Sequence, residues 1–196
     1  MTSSTLARAL LCALIPAALG HPDAARAYPI DLSSFDYTVQ TYGGDVAVIE
    51  AAPGFSLGLE ILASDVAGFD VADYISDQAA PQAMTIHLEW VYVTQGLPAD
   101  DVALVYSIDW SSFSNPIFTE HELSDPDGET AQSGAFSFDV AAGEHFGFGV
   151  SSLGDSAGPA TVTYQLRAES SPVPLPAAGL LLIGGLGALS LARKRS

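Results

Sequence analysis

The chain has 196 residues, of which 48% are hydrophobic and only 15% charged, and its formal net charge at pH 7 is −17. Acidic residues outnumber Lys and Arg by 23 to 6. Such a surface repels phosphate groups, which excludes nucleic acid as a partner and disfavours anionic membrane surfaces. The single cysteine, Cys12, cannot form an internal disulfide, so a folded domain must depend on its core.

Residues 1–27 have the pattern of a secretory signal peptide. Arg8 supplies the positive charge, and residues 9–19 supply an apolar segment of the expected length. Ala25 and Ala27 form the small-x-small pattern that signal peptidase cleaves, which places the cut before Tyr28. A retained membrane anchor is the alternative, but Pro16 and Gly20 interrupt the segment. We therefore expect signal peptidase to act on this chain during export.

The acidic residues concentrate in one predicted domain, residues 28–170. Arg167 is its only basic residue, and Asp23 is the only acidic residue of the chain outside it. One interpretation is a solvated, self-repelling surface that keeps an exported protein soluble. The other is that carboxylates cluster to bind divalent cations.

Apolar residues alternate with polar ones along this domain, as in half-buried strands. Runs at 37–42, 45–50 and 55–62 come first, and Gly43 and Gly44 predict a two-residue hairpin between the first two. Longer alternating sets then follow in order: Met84, Ile86, Leu88, Trp90 and Tyr92; Val102, Leu104, Tyr106 and Ile108; Phe136, Phe138 and Val140; Phe146, Phe148 and Val150; Val162, Tyr164 and Leu166.

The domain shows no helical stripe, and Gly, Pro and Asp residues separate its runs. About nine or ten short strands of this kind predict an all-β fold, an antiparallel β-sandwich of jelly-roll type. A closed barrel is the structural alternative. Gly147 and Gly149 alternate with aromatic residues and would leave one strand face bare, which either a neighbouring backbone or a ligand could fill.

Asp125, Asp127 and Glu129 form the best local cluster of carboxylates. Three acids at alternate positions of a tight loop could hold Ca²⁺, which accepts oxygen ligands at flexible geometry. The spacing does not meet the EF-hand loop, and Pro126 and Gly128 also describe an ordinary turn. The three histidines of the domain, His87, His121 and His145, lack the spacing of a zinc site and are interpreted as surface residues.

No catalytic motif is recognisable, and no cofactor other than this Ca²⁺ is expected. Two carboxylates could serve a glycosidase, but the sequence does not name the pair. Among the aromatic residues, Trp90 is in phase with the core set and is predicted to pack there. Trp110, between Asp109 and Ser111, is the better candidate for a partly exposed ring that stacks on a sugar.

The C-terminus combines three features in order. Val173, Pro174, Leu175, Pro176 and Ala177 lie in a linker at 171–177, an apolar run covers 178–192, and Arg193, Lys194 and Arg195 form a basic stop within 193–196. The apolar run is shorter than the roughly 20 residues of a stable membrane helix. The basic stop would stay in the cytoplasm, which leaves residues 28–170 outside. A plain single-span anchor is one interpretation.

The arrangement resembles the VPLPA variant of the PEP-CTERM sorting signals. The resemblance implies recognition by an exosortase, a membrane protease of Gram-negative exopolysaccharide producers, and release or attachment of the body at the cell surface. Residues 133–166, with two Phe-rich strands around an Ala-Gly turn, also resemble a recurring pattern in exported PEP-CTERM proteins, which implies a β-sandwich.

These observations predict a non-enzymatic cell-surface or extracellular-matrix protein, held transiently in the inner membrane, sorted through its tail and associated with exopolysaccharide. The alternative is a carbohydrate- or calcium-binding β-sandwich module at the same location. A secreted glycan-active enzyme is the third hypothesis.

Overall fold

The computed structural model describes residues 27–63, 70–112, 114–152 and 158–171. Tyr28–Ser171 forms one compact unit. Several predictions from the sequence fall outside the described residues: most of the signal peptide including Ala25, the motif Val173–Ala177, the apolar run 178–192 and the basic stop Arg193–Arg195. Within the described ranges, no helix has the length and apolar character needed to cross a membrane.

The described chain contains eleven β-strands and one short 3-10 turn, Leu32–Ser34. In chain order the strands are β1 Pro29–Ile30, β2 Tyr37–Thr41, β3 Asp45–Ile49, β4 Leu57–Leu62, β5 Asp70–Ser76, β6 Met84–Thr94, β7 Asp101–Asp109, β8 Ile117–Glu122, β9 Ala131–Val140, β10 His145–Ser152 and β11 Ala160–Ser170.

The strands form two antiparallel sheets. The six-stranded sheet has the order β3-β4-β11-β6-β9, with β1 also paired to β11, and the five-stranded sheet has the order β2-β5-β10-β7-β8. From β4 to β11, successive strands pass from one sheet to the other, except that β7 and β8 pair as neighbours. This alternation is the jelly-roll topology. The structure therefore confirms the predicted antiparallel sandwich.

The main core lies between the two sheets, where the predicted alternating sets of β6, β9, β10 and β11 point inward. Phe146, Phe148 and Tyr164 are fully buried, and the ring centroids of Phe148 and Tyr164 lie 5.9 Å apart. Trp90 is 8% exposed, which confirms its prediction as a core residue. Because the described part contains no cysteine, burial of these large side chains, each worth about 1.5–3 kcal/mol, supplies most of the stabilisation.

The predicted hairpin at Gly43 and Gly44 is wrong. β2 pairs with β5 in the five-stranded sheet, whereas β3 pairs with β4 in the six-stranded sheet. Gly43 has φ +115°, and a side chain at Gly44 would collide with the carbonyl oxygen of Leu62. The glycines thus allow a crossover between sheets that passes close to another backbone. A Gly-Gly pair signals a tight change of direction, but it does not determine which strands pair.

Strand β7 shows the predicted alternation, but both of its faces are apolar. Ala103 and Val105 belong to the main core, whereas Leu104, Tyr106 and Ile108 form a second buried cluster. Since alternate residues of a strand face opposite sides, this second cluster lies on the outer face of the five-stranded sheet.

Candidate functional site

A cleft of about 840 Å³ lies on the outer face of the five-stranded sheet. All five strands of that sheet contribute lining residues, because the register sets their outward-facing positions in rows across the sheet. One row runs from Thr38 through Ile75, Gly147 and Tyr106 to Glu120. The next row contains Gln40, Asp73, Gly149, Leu104 and Glu122.

The two glycines of β10 make room for the base of the cleft. A Cβ atom at Gly147 would lie 2.5 Å from ring carbons of Tyr106, and one at Gly149 would collide with Oδ1 of Asp73. The bare strand face expected from the sequence is therefore covered by two side chains from neighbouring strands. Gly147 and Gly149 are required so that the Tyr106 ring and the Asp73 carboxyl group can lie across the middle of the sheet.

The second apolar cluster gives this outer face an unusual degree of burial. Leu104, Tyr106 and Ile108 are 7%, 5% and 2% exposed, and Ile75 packs against them. A sheet face turned to solvent normally carries polar side chains at these positions. Buried apolar residues here form a low-dielectric floor beneath the polar groups of the cleft.

Asp73 is the most perturbed carboxyl group of the cleft. Its pKa is raised to about 6, mainly by burial, while the adjacent Tyr106 hydroxyl lowers it and the charge of Glu120 raises it to a smaller extent. Burial also raises the pKa of Tyr106, and the Asp73 carboxylate adds to that effect. Neither Asp73 Oδ1 nor the Tyr106 hydroxyl makes a hydrogen bond of normal geometry within the described part of the chain, although both atoms are buried. Such buried, unsatisfied groups are costly to a fold and are frequent at functional sites.

Trp110 lines the cleft just after the end of β7. The Asp109 carboxylate accepts hydrogen bonds from the backbone N–H of Ser111 at 2.7 Å and from its hydroxyl at 3.0 Å, which fixes the turn around Trp110. Trp110 is 40% exposed, and Phe118 from β8 is 55% exposed. The Phe118 ring centroid lies 6.4 Å from that of Tyr106. We refer to Trp110 and Phe118 as the aromatic rim.

Carboxyl groups dominate the charge of the cleft. Asp73, Asp77, Glu120 and Glu122 line it, and no Lys or Arg occurs among its described lining residues. His145 is also present, with Nδ1 donating a hydrogen bond of 2.8 Å to the Ser76 carbonyl oxygen. The cleft therefore combines an aromatic rim with acceptors for hydrogen bonds and a negative potential.

The predicted calcium loop lies elsewhere and is organised by its own contacts. Asp125 Oδ1 accepts a hydrogen bond of 3.0 Å from the Asp127 backbone N–H. The Gln132 amide nitrogen donates to the carbonyl oxygens of Asp125 and Glu129, and its amide oxygen accepts from the Asp125 N–H. These contacts are those of a tight turn.

In the described ranges, no group of three or more His, Asp or Glu residues lies close enough to hold a metal ion, and this includes Asp125, Asp127 and Glu129. The histidines lie apart: His87 Nδ1 is 2.7 Å from the Ser137 hydroxyl, and the His121 ring lies 5.2 Å from that of Phe136.

Sequence reasoning placed Trp110 among the candidate residues but missed Asp73, Tyr106 and Glu120. Two signals in the sequence point to them. Strand β7 is apolar at both odd and even positions, which is unnecessary for a strand with one solvated face. The Gly-x-Gly of β10 indicates that neighbouring side chains cross that strand.

No protein-family model matches the chain, and no curated protein matches its sequence. Solved structures resemble it in fold. A carbohydrate-binding module of the β-sandwich superfamily matches at 13% identity with a TM-score of 0.45, over 72% of this chain and 62% of that module. The chain therefore spans less than two thirds of this relative's length.

Two further structures show similar values. The cleaved adhesin domain of Lys-gingipain from Porphyromonas gingivalis matches at 12% identity with a TM-score of 0.42, over 74% of this chain and 99% of that domain. The xylan-binding domain from Paenibacillus barcinonensis matches at 12% identity with a TM-score of 0.40, over 70% and 87%. These similarities concern the sandwich architecture alone, so we derive the function from the residues of the cleft.

Proposed function

We propose that this protein is a glycan-binding β-sandwich that is exported and sorted to the cell surface, and that its cleft on the five-stranded sheet binds a segment of a carbohydrate chain. The observation that carries the proposal is the joint presence of an aromatic rim and polar groups in one cleft. Apolar faces of sugar rings stack on aromatic side chains, and sugar hydroxyls donate to carboxylates or amides. Trp110 and Phe118 supply exposed ring surface, while Gln40, Asp73 and Glu120 supply the polar contacts.

The dimensions of the cleft agree with this use. Its volume of about 840 Å³ falls within the range of roughly 300–1,000 Å³ for sites that enclose small ligands. The sheet holds most of its polar and aromatic groups on strands, which position them more rigidly than loops do. We therefore expect recognition of a few consecutive sugar units.

The test is glycan binding by the full-length protein, measured by intrinsic fluorescence and calorimetry over a panel that includes the native host's exopolysaccharide. The chain has two tryptophans, and Trp90 is buried, so Trp110 should report on the cleft. Trp110→Ala should weaken binding at least tenfold, since stacking contributes about 1.4 kcal/mol or more. Tyr28→Ala is the matched control, because Tyr28 is 66% exposed and does not line the cleft. Absence of binding to every glycan, or equal losses in both variants, would overturn the proposal.

The proposed location rests on the two ends of the sequence. Signal peptidase would cleave before Tyr28, and an exosortase would recognise Val173–Ala177, with 178–192 as a transient membrane segment and Arg193–Arg195 as its cytoplasmic stop. The released or attached body would then meet exopolysaccharide in the matrix. Intact mass of the protein from the envelope and the medium tests this: a species that begins at Tyr28 and ends near residue 172 is expected. A species that retains 178–192, with fractionation unchanged on deletion of 172–196, would contradict it.

A second function, hydrolysis of the bound glycan, is favoured by one observation. Asp73 has a pKa raised to about 6 and shares the cleft with Glu120, and glycosidases pair a protonated with an ionised carboxyl group. Release of reducing ends from a bound oligosaccharide, abolished in both Asp73→Asn and Glu120→Gln, would establish it. Binding without release would leave the protein as a non-enzymatic binder.

A further inference from the structure

We propose that the cleft selects glycans that carry free amino groups, and that the Asp73 carboxylate and the Tyr106 hydroxyl receive the ammonium. This inference rests on the proposed glycan-binding function and specifies its substrate class. The ligand would be a polysaccharide of partly or fully de-N-acetylated hexosamine. Neutral and N-acetylated chains would bind less tightly, and uronic-acid or sulfated chains least of all.

The base of the cleft contains buried polar atoms that could accept hydrogen bonds from a ligand. The Tyr106 hydroxyl lies beside the Asp73 carboxylate and stabilises its charge, but in the described residues neither this hydroxyl nor Asp73 Oδ1, both buried, has a hydrogen bond of normal geometry. Tyr106 is only 5% exposed, yet it lines the cleft. If the Tyr106 O–H donates to the Asp73 carboxylate, the lone pairs left on both groups can only accept, and an ammonium group offers three donors and no acceptor. One sugar hydroxyl has a single donor, so it could donate to only one of the two oxygen atoms.

The charge of the cleft also favours a cationic ligand. Asp77, Glu120 and Glu122 line the same cleft as Asp73, with no Lys or Arg among the described lining residues. Arg167, the only basic residue between 28 and 170, lies on β11 of the other sheet. A negative cleft with an apolar floor concentrates the field on a cationic ligand and repels an anionic one. The aromatic rim adds faces against which a cation is also attracted.

The residues around Asp73 on the neighbouring strands include few groups that could neutralise its charge. Gln40 of β2, which does not titrate, and Gly149 of β10 are its register partners, with His145 further along β10. From β11, the buried Tyr164 hydroxyl is close enough for the Asp73 charge to raise its pKa. β7 contributes Tyr106, and β8 contributes Glu120 and Glu122. No Lys or Arg of the described lining residues therefore competes for the carboxylate. Ammonium binding should weaken as the pH falls through about 6, because protonation removes the charge of Asp73.

The experiment compares two ligands that differ only at nitrogen: the β-1,4-linked hexamer of glucosamine and the same hexamer fully N-acetylated. Full-length protein is titrated with each at about 0.15 M salt, where contacts between distant surface charges are largely screened. We expect the amino hexamer to bind at least tenfold more tightly. Asp73→Asn should abolish this preference, whereas Asp139→Asn should keep it. Asp139 is the matched control because it is exposed on the six-stranded sheet, where its carboxylate accepts a hydrogen bond from Thr85.

The outcomes separate this inference from the proposed function. Equal affinity for both hexamers, with binding still dependent on Trp110, would overturn the amino-group inference and leave glycan binding intact. Equal losses in Asp73→Asn and Asp139→Asn would show attraction by overall charge and would also overturn it. A lysine hexapeptide that binds as tightly as the amino hexamer would assign the cleft to peptides instead. Failure to bind any glycan would overturn both proposals.

Discussion

The outer faces of the two sheets differ in what their polar groups contact. On the six-stranded sheet, polar side chains satisfy one another: His87 with Ser137, Thr85 with Asp139 and Arg167 with Glu169. On the five-stranded sheet, the buried Asp73 Oδ1 and Tyr106 hydroxyl make no hydrogen bond of normal geometry in the described chain. Both sheets are antiparallel and share one core, so the fold does not require this difference. Buried polar groups of this kind over an apolar floor are typical of functional sites.

The same contrast appears in the packing. On the six-stranded sheet, Val91 and Val93 are 51% and 46% exposed on the outer face. On the five-stranded sheet, the corresponding face buries Leu104 and Ile108 almost completely. The first face is an ordinary solvated surface with scattered apolar residues. The outer face of the five-stranded sheet is packed like a small core. Substitutions on the two faces should therefore differ in their effect on the free energy of unfolding.

The largest effect is expected from Gly149→Val. The new side chain would collide with Asp73 and would also lie close to Leu104, so the carboxyl group must leave its position above β10. Overpacking of this kind should lower the free energy of unfolding by about 2–3 kcal/mol and remove glycan binding. Ala135→Val on the exposed face of β9 is the matched change on the other sheet and should cost less than about 0.5 kcal/mol. Denaturant unfolding of both variants checks the pair, and similar losses would refute the contrast between the faces.

The next effect concerns the support beneath the cleft. Tyr164 belongs to β11, but its hydroxyl reaches across the core to two carbonyl oxygens of the five-stranded sheet. The hydroxyl oxygen lies 2.8 Å from the Gly149 carbonyl oxygen and 3.1 Å from that of Leu104, and its hydrogen is shared between them. Tyr164→Phe leaves a buried acceptor without this donor and should cost about 1–2 kcal/mol. Tyr42→Phe is the control, because Tyr42 is 76% exposed. Thermal unfolding should show a decrease of several degrees for the first variant and none for the second. An unchanged melting temperature for Tyr164→Phe would contradict the role of this bridge.

A pH-dependent effect should appear for Asp73. Its pKa is about 6 in the folded chain against the ordinary value of 3.8, so the folded state holds the proton more tightly than the unfolded state. The contribution of this group to stability is therefore lost as the pH rises from about 4 to about 6, and it changes little above that. Asp73→Asn removes the titrating carboxyl group, so the stability of the variant relative to wild type should increase as the pH rises through that interval. Urea unfolding at pH 4.5 and pH 7 measures the gain, and parallel pH curves for the two proteins would exclude it.

The smallest effect is expected from Arg167→Gln on the six-stranded sheet. The ion pair between Arg167 and Glu169 has an N–O distance of 3.3 Å, and the two side chains are 49% and 38% exposed. Exposed pairs of this kind contribute less than about 1 kcal/mol, and salt screens them. The variant should change the free energy of unfolding by no more than about 0.5 kcal/mol and leave glycan binding unchanged. A larger loss of stability would show that this face also depends on specific contacts.

Several parts of the fold could be predicted because they depend on local alternation. The inward residues of β6, β9, β10 and β11, and the burial of Trp90, follow from a period of two. The hairpin at Gly43 and Gly44 could not be predicted correctly, because pairing depends on which partner strands cover β2 and β3. Strands β5 and β8 were not identified either. β8 is exposed along most of its length and β5 carries acidic residues, so neither has a clear apolar face.

The sequence alone determined an acidic, cysteine-poor, antiparallel β domain, with the pattern of targeting segments at both ends. It also pointed to Trp110 as a partly exposed ring. Only the tertiary structure decided that the bare face of β10 is covered by Tyr106 and Asp73, and that Glu120 shares their cleft. The physical reason is that alternation specifies two faces of each strand, whereas strand order and register specify which distant side chains meet on one of them. Asp73 is one acid among many in the sequence, and it becomes distinctive only where β2, β5, β10, β7 and β8 lie side by side.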